Sequence, residues 1–115
     1  VRSSETRGLL RAFADAYVAF REEYCAILAI APDTAIANLE AQAGLHLPFP
    51  LLADPKGEVI ARYTAWNEGS PTPCIVLADR YNEIRQVWVA EIEADLPAIE
   101  ELLEWLRYIN RLCVP

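Results

Sequence analysis

Two short apolar runs constrain this chain more than anything else in it: Cys25-Ala-Ile-Leu-Ala-Ile-Ala31 and Cys74-Ile-Val-Leu-Ala78. Neither alternates with polar residues, so each reads as a strand buried on both faces. Strands of that kind need helices above and below them and further strands beside them. The intervening sequence supplies alternating elements. After Pro32 and Asp33, a good N-cap, residues 34–43 read as a helix stopped by Gly44, and 49–53 as a short apolar strand. Asp54-Pro55 predicts a further helix over 54–65 that carries Val59, Ile60 and Tyr63, with Asp54 as N-cap and Pro55 at the first helical position. Residues 67–73 form a loop, and 79–82 a turn. Residues 83–90 alternate, with Ile84, Gln86 and Trp88 on one face and Arg85, Val87 and Val89 on the other, which predicts a hairpin with the second apolar run.

Helices close the pattern at both ends. Leu9, Leu10, Phe13, Tyr17, Phe20 and Tyr24 recur at steps of three and four over 4–23, with Ser3 or Ser4 as cap and Glu5 at the positive end of the dipole. Leu96, Ile99, Leu102, Leu103, Leu106, Ile109 and Leu112 make the stripe of a last helix over 96–112. Parallel strands joined by helices give a layered α/β sandwich of one domain, 1–115. One requirement stays open: two strands want central places, and the chain supplies few to flank them. A strand preceding Val1 would meet it. The chain has no Met, which agrees with a natural start upstream of Val1.

Composition removes several classes of function. Apolar residues make up 54% and charged residues 23%, which excludes intrinsic disorder. The apolar stretch from Cys25 to Pro32 is far shorter than the roughly 20 residues that span a bilayer. A net charge of −7 excludes nucleic acid and anionic membranes as partners, since both need a basic face. Three cysteines and one histidine, His46, are too few for a disulfide framework, and a zinc site would need nearly all of them. No cofactor or metal is expected. Unpaired cysteines suit a reducing compartment, hence the cytoplasm.

Three segments then carry a resemblance. Pro48-Phe-Pro-Leu-Leu-Ala-Asp-Pro-Lys-Gly-Glu-Val-Ile-Ala-Arg-Tyr63 resembles the Phe-Pro-Leu-Leu, Asp, Gly, Val and Tyr segment of peroxiredoxin-like proteins of the alkyl hydroperoxide reductase / thiol-specific antioxidant family. Ala29-Ile-Ala-Pro-Asp33 is similar to that family's strand end. Pro73-Cys-Ile-Val-Leu-Ala-Asp79, followed by a turn and Glu83-Ile84, is similar to its hairpin. The resemblance covers nearly the whole chain. It implies a thioredoxin-like three-layer sandwich, here without the strand that precedes the first helix.

The same resemblance places the family's chemistry at the N-terminus of the first helix, where free N–H groups stabilise a thiolate. Aligned on Arg7, Leu9 and Leu10, the two Cys-x-x-Cys positions fall on Ser3 and Thr6. Hydroxyls there can cap a helix but cannot exchange disulfides or reduce peroxides, so the site is expected to be degenerate. The position of the peroxiredoxin arginine is Pro73, which the thioredoxin-like pattern implies to be a cis-proline. Cys74 is the candidate thiol. Cys25 reads as core, and Cys113 as the most exposed thiol near the end of the last helix. His46 reads as a surface loop residue. Trp66, Pro71 and Pro73 are expected near Ser3 and Thr6. The acidic stretch 91–104 reads as a solvated helix face, and Trp88 and Trp105 as packing residues. Two functions follow from the resemblance. The first is a redox-inactive binding or assembly module with a protein partner or a second copy of itself. The second is a thiol-dependent antioxidant oxidoreductase working through Cys74 or a cysteine outside the sequence.

Overall fold

A computed structural model describes residues 3–67 and 70–112. Helices α1 (Ser4–Asp15) and α2 (Tyr17–Glu22) open the chain, followed by strand β1 (Ala29–Ala31), helix α3 (Ala35–Gly44) and strand β2 (Leu51–Ala53). A single 3-10 turn (Ile60–Arg62) leads to the short strands β3 (Trp66–Asn67) and β4 (Ser70–Pro71). Strands β5 (Cys74–Ala78) and β6 (Ile84–Val89), a second 3-10 turn (Glu93–Asp95) and helix α4 (Ile99–Leu112) complete it. β1 pairs with β2 in parallel, and β5 with β6 antiparallel. β3 and β4 form a small antiparallel ribbon where a plain loop was expected.

The expected first helix is broken at Ala16, whose φ of −95° and ψ of 6° leave the helical region. The break allows Phe13 and Phe20 to stack with ring centroids 5.6 Å apart. Phe20 belongs to a core built under β5 and β6, with Leu77, Leu102, Leu103, Leu106 and Ile109. A second core gathers Leu10, Ala31, Leu47, Phe49 and Leu51 beneath β1 and β2. Phe13 and Ile27 touch both, so α1 and α2 bridge the two halves. At the end of α2, the Asn110 amide on α4 donates to the Glu23 carbonyl over 2.9 Å, which ties the two helices together.

Alternation sorts the strands. Ala29, Ala31, Leu51, Ile75, Leu77 and Trp88 face the two cores and their helices, whereas Ile30, Leu52, Val76, Val87 and Val89 lie on the opposite face and are exposed. The expectation that the two apolar runs are buried on both faces is therefore corrected. The first run is also shorter than expected, because its partner β2 has only three residues to pair. At the start of β5, the Cys74 thiol lies 3.7 Å from the Tyr63 carbonyl and donates to it.

The 54–65 helix does not form. Gly57 adopts a φ of +68°, which no helix accommodates, and the Asp54 carboxylate accepts from the Val59 and Ile60 amides at 3.0 and 2.8 Å. Asp54 thus caps the 3-10 turn and leaves Pro55 in a turn. Thr34 replaces Asp33 as the cap of α3, accepting from the Ala37 amide. The end of α3 is shaped by His46, left-handed at φ 52°, with the Leu47 amide returning to the Gln42 carbonyl. Ile84 is exposed where Gln86 and Trp88 are half-buried, because a bulge at Leu77/Ala78 shifts the register.

Candidate functional site

The N-terminus of α1 is built from hydroxyls and one carboxylate. Ser3 has extended backbone angles and caps the helix, its Oγ accepting from the Thr6 amide at 3.1 Å. The Ser3 hydroxyl donates to Thr6 Oγ1 at 2.7 Å, and the Thr6 hydroxyl donates to Glu93 Oε1 at 2.7 Å. The 3-10 turn Glu93–Asp95, between β6 and α4, delivers that carboxylate from the far end of the sequence. Glu5, Leu9, Glu93 and Ala94 line a shallow groove beside it. A carboxylate at the positive end of a helix dipole is favourably placed. For the same reason it competes with any other anion there, a thiolate included.

Ser3 and Thr6 are therefore adjacent, as the sequence places them, and are joined by a residue that sequence reasoning assigned only to an acidic stretch. That stretch divides: Glu93 turns inward to Thr6, while Glu100, Glu101 and Glu104 remain exposed on α4. No local signal marks Glu93 out, because its partner is 87 positions away.

The described residues contain no cis peptide bond, so Thr72–Pro73 is trans and the cis-proline expectation is corrected. The segment runs extended into β5. The Thr72 amide donates to the Ala65 carbonyl, the Thr72 carbonyl accepts the Thr64 hydroxyl, and the Pro73 carbonyl accepts the Ala90 amide at 3.1 Å. No chain reversal is needed there. Trp66 packs over Gly57; a Cβ on that glycine would meet the indole at 2.3 Å.

Cys74 is half-buried at the start of β5, and burial pushes its thiol up from the ordinary value. Cys25 is half-buried against the α4 core, and burial raises its thiol too. Raised thiols carry less thiolate at neutral pH and are poor nucleophiles. Cys113 lies outside the described residues. His46 is an exposed helix-end residue. Trp88 and Trp105 pack edge to face, with centroids 6.2 Å apart. Among the described residues, no group of three or more His, Cys, Asp or Glu side chains could hold a metal ion. None of the described helices is long and apolar enough to cross a membrane.

Helices packed on a parallel and an antiparallel strand pair, with a polar site at the start of the first helix, define a thioredoxin-like fold of the peroxiredoxin kind. The sequence matches the AhpC/TSA family over residues 4–87, and the chain belongs to that family. Solved structures agree on the fold. The reduced 2-Cys peroxiredoxin of Plasmodium vivax superposes with a TM-score of 0.84 at 18% identity, over 96% of this chain and 72% of that one. The peroxidoxin BcpB of Mycobacterium tuberculosis gives 0.78 at 19% identity, over 94% and 73%. AhpC of Mycobacterium bovis gives 0.74 at 22% identity, over 100% and 64%. No curated protein matches the chain.

Proposed function

We propose that this chain is a redox-inactive member of its family, serving as a binding or assembly module for a protein partner or a second copy. One observation carries the reading: the α1 N-terminus, which this reading takes as the family's thiolate position, holds the Ser3–Thr6–Glu93 chain of hydrogen bonds. A thiolate needs a locally positive, hydrogen-bond-donating environment. Here a carboxylate lies 2.7 Å from Thr6 Oγ1, which adds negative charge at that end of the helix. The net charge of −7 suits a protein partner over a nucleic acid. The free thiols of Cys25 and Cys74 suit the reducing cytoplasm.

The competing reading is a thiol-dependent peroxide or disulfide reductase, the activity its family implies, working through Cys74. It is favoured by family membership and by the partial exposure of that thiol beside Pro73. Peroxide reduction with a dithiol donor separates the two. The expected result is no turnover above the uncatalysed reaction, unchanged by Cys74→Ser. Turnover that disappears in Cys74→Ser overturns the proposal.

A finer test addresses the carboxylate. A cysteine introduced by Thr6→Cys is expected to alkylate slowly at neutral pH, and to alkylate faster when Glu93→Gln is added. Equal rates in the single and double variants would show that Glu93 does not govern the site.

A further inference from the structure

One face of α4 carries aromatic rings and carboxylates that the fold does not use. Leu102, Leu103, Leu106 and Ile109 turn into the core, whereas Glu101, Glu104, Trp105 and Tyr108 line a shallow groove of about 340 Å³. Their spacing of three and four residues makes them neighbours on the helix surface. The Trp105 and Tyr108 rings meet at 84° with centroids 6.0 Å apart, and so form two walls of a corner. Trp88 on β6 braces the Trp105 indole edge to face, at 6.2 Å. Tyr108 remains 47% exposed, and both carboxylates are exposed.

No cation of the described residues answers these groups. Glu101 and Glu104 take part in no ion pair or hydrogen bond among them. Arg107 turns to Glu23, its Nε 3.5 Å from the carboxylate, and Arg111, beyond Tyr108 on α4, stands over neither ring. The same chain does place arginines over two other tyrosines, Arg21 at 5.8 Å from the Tyr17 ring and Arg80 at 6.0 Å from the Tyr81 ring. The helix dipole accounts for Glu100 and Glu101 in the first turn of α4. It does not account for Glu104, or for the rings beside it.

We infer that the α4 corner receives an arginine side chain from a basic segment of a protein partner. The chemistry of the occupant follows from the walls. A guanidinium is planar, always charged and weakly hydrated, so it stacks on an aromatic face while its N–H groups donate to carboxylates. Trp105 and Tyr108 supply the faces, and Glu101 and Glu104 the acceptors. Lysine brings a compact, strongly hydrated charge that cannot stack in this way. An apolar side chain would cover two carboxylates without pairing them. A second copy of the chain carries the same net charge of −7 and is repelled, whereas that charge draws a basic partner in. The corner shares no residue with the Ser3–Thr6–Glu93 chain, and the inference holds whether or not the protein reduces peroxides.

An NMR titration of the 115-residue chain tests it, read at the Trp105 indole N–H and the Tyr108 amide. The probe is a blocked peptide of alternating glycine and arginine. One control carries lysine in place of arginine at equal charge, and the other carries citrulline, the uncharged counterpart. The expected result is that the arginine peptide shifts both signals saturably and the citrulline peptide shifts neither. The lysine peptide should bind at least roughly threefold more weakly. Glu101→Gln combined with Glu104→Gln, both on the exposed helix face, should weaken the arginine peptide at least roughly fivefold. Equal affinity for the arginine and lysine peptides would reduce the effect to diffuse charge attraction and overturn the inference. Unchanged binding by the double variant also overturns it, as does the absence of any shift at about 5 mM peptide. So do signals that move with protein concentration alone, since a second copy would then cover the corner. Peroxide turnover, by contrast, would overturn the redox-inactive reading and leave this one standing.

Discussion

The β5–β6 hairpin and the β1–β2 pair are built on opposite plans. β5 and β6 are neighbours in sequence, joined by a turn that Asp79 organises: its Oδ1 accepts the Tyr81 and Glu83 amides at 2.8 and 3.0 Å, and its Oδ2 takes the Arg85 guanidinium at 2.9 Å. β1 and β2 are separated by α3 and pair over three residues only. Their added support is Asn38, fully buried on α3, whose amide donates to the Ala31 and Leu52 carbonyls at 3.4 and 3.1 Å. Its Oδ1 is buried without a hydrogen-bond partner. The hairpin is secured by local hydrogen bonds that the chain meets early. The parallel pair depends on α1, α2 and a buried amide to hold distant segments together. A locally closed unit tolerates a weak neighbour, while a non-local unit carries the entropy of closing its loop.

The largest effect should come from Phe20→Ala. It removes a buried ring from the hairpin's core and the stacking partner of Phe13, which reaches into the other core. A loss of about 3–5 kcal/mol is expected in chemical denaturation, with both halves melting together. Separate transitions for the two halves would show that α1 and α2 do not couple them.

Gly57→Ala strikes the segment that follows β2. Its left-handed backbone and the Trp66 ring over it leave no room for a methyl group. A loss of about 1–3 kcal/mol is expected, with a change in tryptophan fluorescence as Trp66 is displaced. A neutral result would mean that Trp66 moves freely and does not lock that loop.

Asp79→Asn tests the hairpin's clamp. Burial by itself would raise the carboxyl, but the Glu83 and Tyr81 amides and the Arg85 guanidinium outweigh it and hold the value below the ordinary 3.8. A depressed folded value means stability that is present above 3.8 and lost as pH falls below it. The stability difference between wild type and Asp79→Asn should therefore be full at neutral pH and narrow in acid. A difference independent of pH would assign the clamp to shape and not to charge.

The smallest effect should have the opposite sign. His46 holds a left-handed angle at the end of α3 with an exposed side chain, so His46→Gly should add roughly 0.5–1 kcal/mol to thermal or denaturant stability. A loss would mean that the imidazole contributes contacts to the β1–β2 half.

Much of this architecture was legible in the sequence because its signals are local. The stripe of α4, the alternation of β6, the turn after Asp79 and the cap at Ser3 each lie within a few residues of what they shape. Local signals mislead where a distant partner decides the outcome. The 54–65 helix looked sound from Asp54-Pro55 and its apolar spacing, but Trp66 covers Gly57, and the Asp54 carboxylate reaches on to Ile60. The first apolar run shrank to β1 because β2 has only three residues to pair with it. The candidate site divides in the same way. Ser3 and Thr6 were visible as hydroxyls at the start of an amphipathic helix. Glu93, which completes their chain of hydrogen bonds, was one acid among several. The cis geometry assigned to Pro73 came from resemblance, and the extended path between Ala65 and Ala90 removed any need for it.

The sequence by itself determined which segments are apolar, where α1 and α4 present their stripes, that the hairpin closes at Asp79, and that no cysteine stands at Ser3 or Thr6. These follow from periodicity, turn chemistry and residue identity, which act over a few positions. Only the tertiary structure decided that Glu93 meets Thr6, that α1 and α2 join two cores, and that β1 pairs with β2 across α3. Each of those depends on segments far apart in the chain, whose approach is set by packing the whole and not by any local preference.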